Sequence, residues 1–171
     1  MDLLDRLLGH DAWTTAALLE RARTLSDAQL DQDINVGHRT VRLTLEHIID
    51  NMETWTDLMN GVPQRTLLAP PEQWRTLDGL HERLRTVTPQ LAQLARRIRQ
   101  ENAWDDLWTD YLDDPPQQKT YGGALAHLIT HSMHHRAQLI HMLRHLNAPD
   151  VPEGDVLSWE TEHSKGQSVP G

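Results

Sequence analysis

Apolar residues recur at spacings of three and four along most of this chain, the period of helices that bury one face. The first such segment covers about residues 2–23, with Leu3, Leu4, Leu7, Leu8, Trp13, Ala16, Ala17, Leu19 and Ala22 as its apolar positions. Ser26-Asp27-Ala28-Gln29 has the form of a capping box that opens a short turn of helix. Asn35-Val36-Gly37-His38 reads as a loop. A second long helix is predicted from about Thr40 to Asn60, where Gly61 and Pro63 end it. Residues 61–75 contain Pro63, Pro70 and Pro71 and read as an irregular crossover. A third helix is predicted over about 76–101. Residues 104–119 alternate weakly, which fits a hairpin or a loop. Thr120 has the chemistry of an N-cap for a fourth helix that reaches about Asn147, before Pro149 and Pro152. The pattern therefore predicts an all-α four-helix bundle with one long crossover over residues 1–150. Residues 151–171 are expected to be a polar C-terminal tail, with the last eight residues disordered.

Composition narrows the function. A chain of 171 residues with a formal charge of −9 can bury one core, and it lacks the basic surface that nucleic acid requires. Arg96, Arg97 and Arg99 form the densest basic group and read as a solvated helix face. There are no cysteines, which excludes disulfides, thiolate metal ligands and a cysteine nucleophile. The first residues show no signal-peptide pattern, and no apolar run approaches the roughly 20 residues of a membrane span. A cytoplasmic protein is expected, with no membrane and no nucleic acid among its partners.

The chemistry gathers in the predicted fourth helix. His127, His131, His134, His135, His141 and His145 lie within it, and His131 and His135 stand four apart, on one face. On a helical projection both fall at the rim of the apolar arc made by Leu125, Leu128, Ile129, Leu139, Ile140 and Leu143, whereas the other four point away. His47 stands at the corresponding rim of the second helix, beside an arc of Val41, Leu45, Ile48, Met52, Trp55 and Met59. Two packed helices with axes about 8–10 Å apart let such rims share one ion. Three nitrogen ligands leave a coordination position open, as in catalytic zinc sites. A chain with 11 histidines also produces one such pair by chance, so a surface stripe is the competing explanation. There is no glutamate between His131 and His135, and the Glu-x-x-His pairs of di-iron bundles are absent.

Other residues carry weaker signals. Asn51, one turn beyond His47, is either a polar neighbour of the ligands or a core-edge residue. Arg136 projects into the middle of the apolar arc and needs a carboxylate, with Glu46, Asp50 and Glu53 as candidates. Trp13, Trp55 and Trp74 suit a core or a pocket wall, and Trp104, Trp108 and Tyr111 suit an anchor or a cleft lining. Ser132 and Thr130 show no triad arrangement.

Three stretches resemble one family. His10-Asp11-Ala12-Trp13, with Leu25-Ser26-Asp27-Ala28-Gln29-Leu30, is similar to its first helix and following turn. Thr40 to Ile49, continuing to Trp55 and Gly61, resembles its helix bearing the first metal histidine. His131-Ser132-Met133-His134-His135-Arg136-Ala137-Gln138 resembles its His-x-x-x-His-Arg-Gly-Gln signature, with Ala137 in the glycine position. On these motifs the chain, over about residues 1–147, resembles the DinB/YfiT-like superfamily of metal-dependent proteins. The resemblance implies a four-helix bundle, a homodimer and a divalent metal, zinc or nickel, held by His47, His131 and His135. It makes His134 a neighbour easily mistaken for a ligand. Some members resemble S-transferases or isomerases that use a low-molecular-weight thiol such as bacillithiol or mycothiol. That chemistry suits an open metal position, which holds a sulfur as thiolate. A metal-dependent hydrolase, a non-catalytic stress-related metal-binding protein and a plain helical dimer are the alternatives. The family name refers to induction by DNA damage and does not imply DNA binding.

Overall fold

The helices begin where the sequence supplies caps, because the first N–H groups of a helix need acceptors. This computed structural model describes residues 1–67 and 72–165. Helix α1 (Leu3–Ala22) follows Asp2, whose side chain accepts from the Asp5 N–H. Ser26 and Gln29 form the expected capping box of α2 (Asp27–Leu30). Helix α3 (Val41–Met59) follows Thr40, whose hydroxyl accepts from the Leu43 N–H at 3.1 Å. Helix α4 (Leu77–Glu101) is capped in the same way by Thr76, and α5 (Tyr121–His145) by Thr120. Each boundary lies within two residues of the sequence expectation.

The crossover contains two short 3-10 turns, Arg65–Leu67 and Glu72–Arg75. The expectations for Pro70 and Pro71 fall outside the described residues. Between α4 and α5 the chain forms a hairpin: β1 (Leu107–Asp110) pairs antiparallel with β2 (Gln117–Thr120), Leu107 opposite Thr120 and Asp110 opposite Gln117. Of the two readings of residues 104–119, the hairpin holds.

The polar tail differs from expectation, because Val156–Lys165 form helix α6. One large apolar residue anchors it. Trp159 is buried, and it lies so close to Gly9 that a Cβ there would come within 2.7 Å of its ring. Of the eight residues expected to be disordered, Ser164 and Lys165 belong to α6 and the other six lie outside the described residues.

The chain divides into two compact units, residues 1–45 with 133–171, and residues 46–132. In the first, Leu18, Leu19, Val41, Leu45, Leu139 and Met142 are buried. In the second, Ile48, Ile49, Met52, Leu80, Val87 and Ile98 are buried. The described residues are thus mostly helical, with one two-stranded sheet. No described helix is long and apolar enough to cross a membrane.

Candidate metal centre

In the second unit, α3 presents His47 and Asn51 one turn apart, and α5 presents His131 to them. The Nε2 atoms of His47 and His131 are 3.0 Å apart. The amide nitrogen of Asn51 lies 2.9 Å from the first and 3.1 Å from the second. It also lies 3.2 Å from the carbonyl oxygen of His47, which can only accept. That contact identifies the nitrogen end of the amide, which then donates toward the two rings. The amide has two hydrogens for these three contacts, and which ring nitrogen carries a proton depends on the tautomer. Two ring nitrogens at this separation are near one edge of a coordination tetrahedron, which is about 3.3 Å for metal–nitrogen bonds of about 2.0–2.1 Å. Imidazole donors of this kind fit a divalent metal ion.

Around this pair the second unit builds an aromatic wall. The His127 ring stacks on His131, with centroids 5.2 Å apart, and on its other side meets Trp55, also at 5.2 Å. Trp55 packs edge-on against the buried Trp108. Trp55, Lys119, Thr120, Gly123, Ala124 and His127 line a cavity of about 400 Å³. Lys119 lies over the Trp55 ring and pairs with Asp110 and Asp113, which hold its pKa above the ordinary lysine value. The anchor role of Tyr111 is not met, since this side chain is exposed.

In the first unit, α5 continues by one turn to His135, which is buried. Burial lowers its pKa, so the ring is held in the neutral form that a metal needs. Its Nδ1 lies 2.9 Å from Oε1 of Gln138, an oxygen that accepts, which places the ring proton on Nδ1. The Gln138 amide nitrogen is 2.9 Å from Nε2 of His134. His134 is exposed and engaged in this bond, as are His127, His141 and His145 exposed on the same helix. A histidine that sequence reasoning passed over stands here too. The His38 ring lies 5.0 Å from that of His135. The histidines that could hold a metal ion include His38, His47 and His135.

The buried arginine has a different partner from those expected. Arg136 pairs with Asp11 of α1, both almost wholly buried. Glu46 is instead paired with Arg75, and Asp50 and Glu53 with Arg83. The α3 carboxylates already have cations near them in their own unit, and Asp11 lies on the buried face of α1. Burial pushes the Arg136 guanidinium down to about 10, still charged at neutral pH.

No curated protein matches this chain. Residues 1–158 match the DinB family, nearly the whole length and including every histidine and arginine just described. With that extent of match, the chain belongs to the DinB family.

Proposed function

We propose that this DinB-family protein is a divalent-metal protein in which His47, His131 and His135 hold one zinc or nickel ion, and that it works as an S-transferase with a low-molecular-weight thiol. The observation that carries this reading is the close pair of ring nitrogens, His47 Nε2 and His131 Nε2, 3.0 Å apart beside one amide nitrogen. His135, one turn further along α5, supplies the third nitrogen, with its Nδ1 already committed to Gln138. An ion with three nitrogen ligands supplies an open position at which a thiol is held as thiolate at neutral pH. The chain has no cysteine, so the nucleophile arrives with the cosubstrate. The cavity between Trp55 and His127 is the entry for a small electrophile, whose flat or apolar part the rings would cover. The four long helices pack as a bundle with the 61–75 segment as crossover, and the protein is a cytoplasmic homodimer in this reading.

Elemental analysis of the untagged protein beside the double variant His47→Ala, His131→Ala is the test. About one zinc or nickel per chain is expected in the parent, with loss in the variant. Thiol-dependent consumption of an electrophile by the loaded protein then supports transfer. A parent protein that takes up neither metal ends the metal reading, and a loaded protein inert toward thiols leaves metal binding without transfer.

A further inference from the structure

Residues 35–39 form an unusual loop. Asn35, Gly37 and Arg39 all have positive φ, at 56°, 51° and 72°, a region that residues with a Cβ rarely adopt. Strain of this kind persists where surrounding structure holds it. The loop is braced by the Ile34 N–H on the Arg39 carbonyl and by the Arg39 N–H on the Val36 carbonyl, both at 2.8 Å. Arg39 also pairs with Asp33. Gly37 rests on Gln138 so closely that a Cβ would fall 2.1 Å from its Oε1. That oxygen is the one that accepts from His135. The outcome of this bracing is that His38 is turned toward His135, with ligand nitrogens of the two within 4.8 Å.

We propose that His38 is a fourth protein ligand of the metal, joining the ion at His135. This rests on the metal reading above and extends it. A rotation of one side chain shortens a separation of up to 4.8 Å to the edge of a tetrahedron, about 3.3 Å. With His38 bound, a tetrahedral ion such as zinc has four nitrogens and no open position. A thiol must then displace His38 before it reaches the metal. The left-handed residues around His38 serve to present a ligand from a loop, where no helical periodicity places it.

Cobalt(II) is the probe, because its visible absorption reports coordination number and donor type. The parent, His38→Ala and His38→Gln are titrated with cobalt(II), with circular dichroism used to confirm folding. His38→Gln is read alone if the alanine variant does not fold. The expected result is at least about tenfold weaker binding in the variants, since even groups that only orient ligands carry that much. The absorption is expected to change as water replaces nitrogen, and added imidazole is expected to restore it. Parent-like affinity and spectrum in both His38 variants, while His47→Ala and His131→Ala lose cobalt, would overturn the proposal and leave three histidines. A parent that takes up no cobalt would overturn both readings.

Discussion

Two neighbouring turns of α5 treat their polar groups in opposite ways. In the first unit the guanidinium of Arg136 meets the carboxylate of Asp11, and charge answers charge. In the second unit the ring nitrogens of His47 and His131 meet each other and an amide, with no carboxylate among these contacts. The same contrast appears within α3. Glu53 is spent on Arg83 at 2.7 Å, whereas His47 meets the His131 ring and the Asn51 amide. A buried ion pair is a closed arrangement. The ring nitrogens of His47 and His131 converge instead on each other and on one amide, the geometry on which the proposed metal site rests.

The largest expected effect comes from breaking the closed arrangement. Arg136→Met leaves the Asp11 carboxylate buried without its cation and is expected to cost about 3–5 kcal/mol. The double variant Arg136→Met, Asp11→Leu should recover most of that loss, because two apolar groups of similar volume replace the pair. Denaturant unfolding of the three proteins measures it. A single variant within about 0.5 kcal/mol of the parent would mean that the pair has no structural role.

Much of this arrangement was legible in the sequence, and the limits have physical causes. The rims holding His131 and His135 follow from the helical period, which also buries Leu125, Leu128, Leu139 and Leu143. His47 follows from the same period in α3. The hairpin was legible only as one of two options, because four-residue strands such as 107–110 alternate over too few positions. Asp11 was not found as the partner of Arg136, since the two are 125 positions apart and a helical projection gives a face but not the helix opposite it. His38 carried no signal because loop residues have no period, although Gly37 and Asn35 did mark the turn. Helix α6 was hidden by its polar composition, with Trp159 as its single buried large residue.

A smaller change sharpens the open side of the comparison. In the metal-free protein the Asn51 amide nitrogen lies against both ring nitrogens. Asn51→Ala removes those hydrogen bonds and should cost the metal-free form about 1 kcal/mol. A bound divalent ion takes over the same ring nitrogens, so the loaded form should lose little. Zinc would then stabilise Asn51→Ala by about 1 kcal/mol more than the parent, equivalent to roughly fivefold tighter binding. Thermal melts with and without zinc measure the difference. Weaker zinc binding in the variant would mean that Asn51 supports the bound ion rather than standing in its place.

The smallest effect concerns a histidine on the closed side. His10 is buried on α1, and its Nε2–H donates to the Gly154 carbonyl at 2.8 Å. Gly154 holds φ at +76°, and a Cβ there would come within 2.8 Å of Ile140, so the acceptor is fixed in place. Burial lowers the His10 pKa below its ordinary 6.5, more strongly than the Gly154 bond raises it. The folded chain therefore resists protonation of this ring, and the unfolded chain does not. As pH falls from 6.5 through the folded value, the unfolded state binds the extra proton first and stability drops. Above 6.5 the ring is neutral in both states and contributes no slope. His10→Gln keeps a donor for Gly154 and removes the titration, so its stability should fall less steeply than the parent's on the acid side of neutrality. Chevron or equilibrium unfolding on Asp11-intact protein at several pH values tests this. Parallel slopes in the two proteins would mean that His10 takes up its proton equally in the folded and unfolded chain, and would overturn this prediction.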